Sequence, residues 1–315
     1  MRKALIVGIN NYPISPLSGC VNDALAIKRV LERHADNSKN FDVKLLTCNS
    51  GEVTRATLKA AIEQLFHGDS EIALLYFSGH GSINSTGGYL VTTDAKRYDE
   101  GVSMDQILSL ANNSKAKDKI IFLDCCHSGA LGTPNVGGGN VAQLAEGVSV
   151  LTASRDSESA IETNGFGVFT DLVAHALEGG AADLLGRVTP GSIYAYVDSA
   201  LGPWGQRPVF KTNVTRFTSL RTTPAPVRLS VLHNLIEYFP NQQDEHKMDP
   251  AYEDTAPSHD PKKAAIMKEL QKLVAVGLVK PVGEEHMYFA AMNSKSCRLT
   301  PLGFHYWRLA KAKLI

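Results

Sequence analysis

Short apolar segments alternate with helix-patterned segments from residue 3 to about residue 213, and this alternation constrains the fold more than any other feature of the sequence. The runs Lys3–Ile9, Ile72–Phe77 and Lys119–Asp124 are typical of buried strands, whereas Asn22–Leu31 and Thr54–Phe66 have the one-sided apolar spacing of helices. Strands separated by helices need crossover connections, which produce a mostly parallel sheet. The sequence therefore predicts an α/β fold with helices on both faces of the sheet.

The same pattern predicts four more elements in this part of the chain. They are strands Phe41–Thr47 and Val148–Thr152 and helices Ser103–Asn112 and Phe166–Leu177. Thr54 precedes its helix directly and is the expected N-cap.

The composition excludes several classes of protein. Of the 315 residues, 43% are hydrophobic and 20% are charged, which is ordinary for a globular protein. No run of about 18 apolar residues occurs, so no membrane-spanning helix and no membrane partner are expected. The formal net charge is zero and gives no reason to expect general nucleic-acid binding. The five cysteines are odd in number and scattered, which favours a reducing, cytoplasmic location.

The pattern changes near Arg221, and we expect a second domain beyond that point. The predicted boundaries are a large domain 1–220, a linker 221–226 and a small domain 227–315. In the small domain we expect helices Val227–Phe239, Lys263–Val279 and Pro301–Leu314, and a hairpin that pairs Met287–Ala291 with Cys297–Thr300. Helices combined with a hairpin resemble a winged-helix module.

A histidine and a cysteine follow two of the predicted strands. His80 lies between Gly79 and Gly81 directly after one strand, and Cys126 lies just after another. The carboxyl ends of parallel strands meet at one edge of a sheet, so these two side chains can come together. A thiolate is a strong nucleophile, and a nearby imidazole favours its formation and can protonate a leaving amine. This pair predicts cysteine protease chemistry.

Two other interpretations of these residues remain open. Adjacent cysteines at a strand end can be ordinary small buried residues. Alternatively, Cys125, Cys126, His127 and His80 could bind zinc. Structural zinc sites usually space their cysteines by two to four residues, and adjacent strand residues point to opposite faces, so zinc is the less favoured alternative.

A set of motifs gives the chain a family resemblance. In chain order they are Gly8-Ile-Asn-Asn-Tyr12, Gly19-Cys-Val-Asn-Asp-Ala24, Phe77-Ser-Gly-His-Gly81, Asp124-Cys-Cys-His-Ser-Gly129, Leu151-Thr-Ala-Ser154 and Gln206-Arg-Pro-Val-Phe210. Together they resemble the caspase/metacaspase family of cysteine peptidases over roughly residues 1 to 215. The Gln-Ala-Cys-x-Gly motif of animal caspases is absent, so the chain resembles the bacterial, plant and protist branch.

The resemblance implies a role for each site residue. Cys126 is implied as the nucleophile and His80 as the general acid/base, with an oxyanion hole from the backbone N–H groups of Gly81 and Cys126. The S1 specificity pocket is implied at the positions of Cys20, Asp23, Ser78 and Asp124. Two carboxylates in a recess select a cationic side chain, so cleavage after Arg, or after Lys, is expected.

The resemblance also bears on whether the protein needs calcium and on how it is activated. Several metacaspases bind calcium through clustered acids, but here Asp94, Asp99, Glu100 and Asp105 are dispersed, so we predict no cofactor and no calcium requirement. The loop Gly132–Asn140 is rich in Gly and Pro and could be ordered by a partner or by cleavage. Arg155 and Arg187 are candidate processing sites. The chain begins at its first predicted strand, so we expect control to come from its C-terminal part, from processing or from a partner.

The small domain is the expected site of partner binding. Its lysines, Lys263, Lys268, Lys272 and Lys280, are mixed with acids such as Glu269, and an acidic segment precedes them. DNA affinity depends mainly on clustered cations, so an activating protein partner at residues 227–315 is favoured over nucleic acid. Bacterial caspase-like proteins often carry adaptor domains of conflict or defence systems. The alternative is a catalytically idle scaffold or a DNA-binding regulator that acts through this domain.

Overall fold

A computed structural model describes residues 1–48, 51–96, 99–125, 143–153, 162–163, 166–202 and 207–315. The chain divides into two compact units. The N-terminal unit comprises Met1–Asp183 and Arg187–Pro224, and the C-terminal unit comprises Leu184–Gly186 and Ala225–Ile315. Among the described residues, no helix has the length and apolar character needed to cross a membrane.

The described part of the N-terminal unit contains thirteen strands and five α-helices. The strands are β1 (Arg2–Gly8), β2 (Asp42–Thr47), β3 (Ile72–Ser78), β4 (Gly81–Asn84), β5 (Gly87–Lys96), β6 (Asp99–Ser103), β7 (Asp118–Asp124), β8 (Val148–Thr152), β9 (Glu162–Thr163), β10 (Phe166–Gly167), β11 (Arg187–Val188), β12 (Val209–Asn213) and β13 (Arg221–Thr222). The helices are α1 (Cys20–Glu32), α2 (Arg55–Phe66), α3 (Met104–Asn112), α4 (Val168–His175) and α5 (Pro190–Leu201).

A six-stranded sheet in the order β12-β8-β7-β3-β1-β2 forms the centre of this unit. Every pairing is parallel except that of β12 with β8. All residues of β3 and β7 are buried, as expected when helices cover both faces of a parallel sheet. The predicted α/β fold class with a mostly parallel sheet is confirmed.

Alternate residues of the central strands enter two different apolar clusters. Leu75 and Leu123 pack with side chains of α2 and α3 on one face. Tyr76 and Phe122 pack with side chains of α1, α4 and α5 on the other. This alternation decides which face each residue at a strand end can reach.

The sequence located most elements of the central sheet to within two residues. Thr54 is the N-cap of α2 and accepts a hydrogen bond from the backbone N–H of Thr57, as predicted. The predicted helix Phe166–Leu177 is shorter at its start: α4 begins at Val168, and the chain continues from Ala176 to Gly180 as a π-helical turn.

The sequence analysis did not predict several regular segments, among them β12 of the central sheet, a small antiparallel sheet and helix α5. Strands β4, β5 and β6 form a separate antiparallel sheet that begins immediately after His80. Helix α5 begins after Thr189, which forms a capping box with Ser192. The small sheet was missed because its strands mix glycines and polar residues with few apolar ones.

The C-terminal unit contains α6 (Leu229–His233), α7 (Leu235–Tyr238), β14 (Glu245–Lys247), α8 (Pro261–Ala275), β15 (Val279–Val282), α9 (Met287–Met292), β16 (Ser296–Leu299) and α10 (Pro301–Lys311). The strands form an antiparallel sheet in the order β14-β16-β15. The predicted helix Val227–Phe239 is divided at Asn234. The winged-helix assignment stays a prediction.

The hairpin expected in this unit was wrong. Met287–Met292 is helix α9, and β16 pairs with β15, with Val279 opposite Leu299. Met287, Ala290 and Ala291 are buried at the i, i+3 and i+4 spacing of a helix, but the run is apolar throughout, so the sequence does not display this spacing.

Candidate active site

The carboxyl ends of β1, β3 and β7 lie side by side at one edge of the central sheet. Gly8 is opposite Ser78, and Ser78 is opposite Asp124. Beyond these ends the chain stays joined, because the N–H of Ile9 donates to Ser78 and the N–H of Gly79 donates to Asp124, at 3.0 and 3.3 Å. The segments that carry His80 and Asp124 therefore leave the sheet at neighbouring positions.

His80 is held by backbone and side-chain contacts on the β1 side. Its backbone N–H donates to the Tyr12 hydroxyl at 3.0 Å, and its ring lies 4.6 Å from the Tyr12 ring. Its Nε2 lies 2.6 Å from the carbonyl oxygen of Ser15. A carbonyl only accepts, so Nε2 carries the proton and Nδ1 is the nitrogen left to accept one. This tautomer suits a general base that acts through Nδ1.

Tyr12 is a site residue to which sequence reasoning gave no role. It is buried, and its hydroxyl also donates to the Val91 carbonyl at 3.3 Å. Burial raises the pKa of Tyr12 well above its usual range, so the hydroxyl keeps its proton. The motif Gly8-Ile-Asn-Asn-Tyr12 contained this residue, but nothing in its spacing indicated a contact with His80.

Cys126 lies outside the described residues, and so do His127, Gly132–Asn140 and Arg155. Cys125 is described: it is fully buried in the apolar cluster that faces α2 and α3. The preceding Asp124 contacts Thr170 of α4, on the opposite face of the sheet. This alternation is the one that the sequence argument assumed for adjacent strand residues.

Gly81, the expected oxyanion-hole residue, is the first residue of β4. It follows His80 directly and lies opposite Leu90 of β5. The hydrogen bond from the N–H of Val91 to the His80 carbonyl, at 3.0 Å, fixes the path of the chain into β4. The small antiparallel sheet therefore positions both His80 and Gly81.

The four residues expected to form the S1 pocket, Cys20, Asp23, Ser78 and Asp124, are all buried, and we call them the acidic recess. The Ser78 hydroxyl donates to Oδ2 of Asp23 at 2.9 Å. Cys20 and Asp23 lie on the first turn of α1. Helix α1 therefore brings Asp23 to the ends of β3 and β7.

Gly167, at the start of α4, joins the two acids. Its N–H donates to Oδ1 of Asp23 at 3.0 Å. A Cβ atom at this position would lie 2.4 Å from Oδ2 of Asp124 and 3.1 Å from Oδ2 of Asp23. The distance between the two Oδ2 atoms therefore cannot exceed the sum of these two distances. Only a glycine lets the backbone approach both of them.

Thr170 and Tyr76 complete the surroundings of Asp124. The Thr170 hydroxyl donates to Oδ2 of Asp124 at 2.6 Å and is hydrogen-bonded to the Tyr76 hydroxyl. Sequence reasoning missed Gly167, Thr170 and Tyr76. They belong to none of the motifs, and no sequence signal places α4 against the acidic recess.

Arg55 contacts two of the acids that were considered as calcium ligands, Asp94 and Asp99. Arg55 forms an ion pair with Asp99, and its backbone N–H donates to Asp94 at 2.9 Å. Burial would raise the pKa of Asp94, but hydrogen bonds from Thr92 and the Arg55 N–H lower it below its usual value. Within the described ranges, no three His, Cys, Asp or Glu side chains are grouped to hold a metal ion.

Comparison with known proteins gives a family and a fold. The family model of the caspase domain matches residues 1–219. The structure is similar to that of protein GSU0716 from Geobacter sulfurreducens, with 18% identity, a TM-score of 0.52 and coverage of 71% of this chain and 100% of that one. It is also similar to caspase-1 from Spodoptera frugiperda, with 14% identity, a TM-score of 0.50 and coverage of 70% and 90%. No curated protein sequence matches. The predicted caspase-like fold is confirmed.

Proposed function

This chain belongs to the caspase domain family, and from this premise we propose that it is an endopeptidase that cleaves proteins after arginine or lysine. Its family and its fold support a cysteine peptidase. The observation that carries the finer proposal is the pair of carboxylates, Asp23 and Asp124, which approach the same glycine beside the strand end that leads to His80.

In the proposed mechanism, Cys126 and His80 act as a dyad. Nδ1 of His80 takes the proton from the Cys126 thiol, and the thiolate attacks the scissile carbonyl. The N–H groups of Gly81 and Cys126 stabilise the oxyanion. Nδ1 then gives its proton to the leaving amine, and water hydrolyses the acyl-enzyme. The contact of Nε2 with the Ser15 carbonyl supports this sequence because it fixes the required tautomer.

The acidic recess is the proposed S1 pocket. An arginine fork can pair with two carboxylates at once, whereas a lysine ammonium is a point charge, so Arg is favoured over Lys. An aspartate side chain would be repelled by Asp23 and Asp124. The proposed selectivity is therefore for cationic residues before the cut.

We further propose that the enzyme is latent until a partner or a cleavage rearranges it. Asp23 and Asp124 are only 1% and 5% exposed. A cationic side chain can reach carboxylates buried to this degree only after neighbouring groups move. This burial supports latency, and so does the position of Gly167 against both acids.

Calcium is not required in the proposed mechanism. Arg55 already supplies a positive charge to Asp99 and a backbone donor to Asp94. A divalent cation would have to displace these contacts and still find six or more oxygen ligands. The arrangement therefore supports calcium independence.

The C-terminal unit is the proposed docking site for an activating protein. Lys263 and Lys268 form ion pairs with Asp249 and Asp254 of the preceding acidic segment, which leaves less net positive charge for phosphates. The unit also exposes six large apolar side chains, which protein interfaces favour more than nucleic-acid interfaces do. They are Leu229, Ile236, Tyr288, Phe289, Leu302 and Leu314.

The experiment that tests the proposed function is cleavage of fluorogenic peptides that end in Arg, Lys or Asp, with wild type and Cys126→Ala, with and without calcium. We expect cleavage after Arg and Lys, none after Asp, loss in Cys126→Ala, and no change when calcium is chelated. Cleavage after Asp, or equal cleavage by Cys126→Ala, contradicts the proposal. If no peptide is cleaved, even after incubation with host extract, the result favours the alternative of a catalytically idle scaffold.

A further inference from the structure

We propose that Thr170, supported by Tyr76, is a positioning residue that holds Asp124 as an oriented anion and thereby sets the preference of the acidic recess for a guanidinium group. The inference rests on the proposed function of the recess as the S1 pocket. It concerns two residues outside every sequence motif, one on α4 and one on β3.

The hydrogen bonds around Asp124 have a defined direction. The Thr170 hydroxyl has one proton, and with Oδ2 of Asp124 at 2.6 Å that proton goes to the carboxylate. The Tyr76 hydroxyl must then donate to Oγ1 of Thr170. Both side chains are 0% exposed, so water does not compete with either bond. Two donors in series point toward one carboxylate oxygen, and each strengthens the other.

Tyr76 remains a donor over the working range of the protein. Its pKa is raised, first by complete burial and then by the negative charges of Asp23 and Asp124. The phenol therefore keeps its proton beside the two acids. Tyr76 is thus the first donor in a chain of two hydrogen bonds that runs through Thr170 to Asp124.

Asp124 needs these donors because a second carboxylate lies close by. Burial and like charge both oppose ionisation of two neighbouring acids, and hydrogen bonds to the charged form favour it. Asp23 has its own donors, Ser78 and the N–H of Gly167. Thr170 donates the corresponding hydrogen bond to Asp124. Loss of its hydroxyl therefore removes a donor from Asp124 and leaves both donors to Asp23 in place.

The two cationic side chains should respond differently to that loss. A guanidinium fork pairs with both acids only if their oxygens are ionised and oriented, whereas an ammonium group tolerates a displaced or neutralised partner. Removal of the Thr170 hydroxyl should therefore weaken binding of Arg more than binding of Lys. The chemical step at Cys126 should change little.

The test compares Thr170→Val, which keeps the shape but removes the donor, with Thr170→Ser, which restores it. For Thr170→Val we expect KM for an Arg peptide to rise about tenfold or more, from loss of a hydrogen bond to a charged group. We expect a smaller rise for a Lys peptide and nearly unchanged kcat, with both peptides restored toward wild type in Thr170→Ser. Tyr76→Phe should show the same selectivity change in weaker form.

Thr92→Val is the matched control. Thr92 is also fully buried and also donates to an aspartate, Asp94, at 2.7 Å, but it lies on β5 of the small antiparallel sheet. It should lose stability and keep the wild-type Arg-to-Lys ratio. The inference is overturned if the Arg-to-Lys ratio falls equally in Thr92→Val, or if it does not change in Thr170→Val. In either case, cleavage after Arg by the wild type still supports the proposed function.

Infrared spectroscopy gives a readout that needs no turnover. A protonated carboxylic acid has a carbonyl stretch that a carboxylate lacks. In the Cys126→Ala background at neutral pH, we expect this band to appear with Thr170→Val and to be absent with threonine or serine at position 170. The same spectrum for all three overturns the inference even if no peptide is cleaved.

Discussion

Tyr12 connects the histidine of the candidate site to the rest of the sheet edge. Its hydroxyl accepts from the backbone of His80 and donates to the backbone of Val91, so one buried group joins two chain segments. Its ring also packs against the imidazole. The position of His80 therefore depends on a side chain contributed by the loop after β1.

We expect Tyr12→Phe to lower kcat for the preferred peptide about tenfold with little change in KM. The ring contact survives, but the two backbone groups lose their shared partner, and small displacements of a catalytic group reduce the chemical step. The free energy of unfolding should fall by about 2 kcal/mol, because two hydrogen bonds are lost and each usually contributes about 1 kcal/mol. Steady-state kinetics and urea titration measure both.

Tyr238→Phe is the control for this change. It also removes a tyrosine hydroxyl with a 2.6 Å hydrogen bond, but that bond goes to Glu269 in the C-terminal unit. It should lower stability and leave kcat at the wild-type value. If kcat of Tyr12→Phe also stays at that value, Tyr12 does not position His80.

At the scale of elements, the start of α4 determines the shape of the acidic recess. Gly167 is the N-cap residue of this helix, with φ of −68°, a conformation that any residue can adopt. The need for glycine is therefore steric: the two carboxylates of the recess occupy the space that a side chain would take. A favourable helix N-terminus also faces these anions.

For Gly167→Ala we expect at least a tenfold fall in kcat/KM for Arg peptides, mainly through KM. The new methyl group would overlap Oδ2 of Asp124, so α4 or the carboxylate must move. The displaced groups are buried, so the variant should also lose stability, and the lower entropy of the unfolded chain with alanine offsets only part of that loss. Kinetics and thermal unfolding of the same preparation separate the two effects.

Gly191→Ala provides the comparison. In α5 an added Cβ would lie 2.7 Å from the ring of Phe217, a side chain that is 37% exposed and free to turn away. Its KM should match that of wild type. Equal KM values for the two alanine variants would mean that Gly167 does not shape the recess.

Elements also show where sequence patterns fail. The strands β1, β3 and β7 were recognised because both of their faces are covered and each contains at least four consecutive apolar residues. Strands β4 to β6 contain many glycines and polar residues, and they pair only with one another. Helix α9 has a short apolar run in which strand and helix periods cannot be separated by sequence alone.

At the scale of the whole molecule, the two units have separate apolar cores. One cluster belongs to the C-terminal unit and includes Phe239, Leu270 and Trp307. His246 lies in the same unit, with its ring against Tyr238, Phe239 and Tyr252. Burial lowers the pKa of His246, although its contact with the Tyr238 carbonyl acts in the opposite direction.

This shift predicts acid sensitivity of the C-terminal unit. The unfolded chain, in which the pKa is about 6.5, binds the proton more readily than the folded unit does. Stability is therefore complete above that pH and falls as the pH drops through and below it. In a Trp204→Phe parent protein, the fluorescence of Trp307 alone reports unfolding in urea. We expect the urea midpoint of this protein to be lower at pH 5.5 than at pH 7.5. The difference should be smaller when His246→Gln is added.

His305→Gln is the matched variant, because His305 is exposed on α10. It should retain the pH dependence of the parent protein. If His246→Gln retains it to the same degree, the acid sensitivity has another source.

The sequence by itself determined the fold class, five of the six strands of the central sheet and the family, because buried apolar runs and ordered motifs are local features. It also predicted four recess residues, and Asp23 and Ser78 are hydrogen-bonded to each other. The roles of Cys126, His80 and Gly81 stay predictions. Only the tertiary structure decided that α4 reaches the recess and that Tyr12 reaches His80. Gly167, Thr170 and Tyr12 contact partners far away in sequence, and such contacts leave no periodicity or spacing to read.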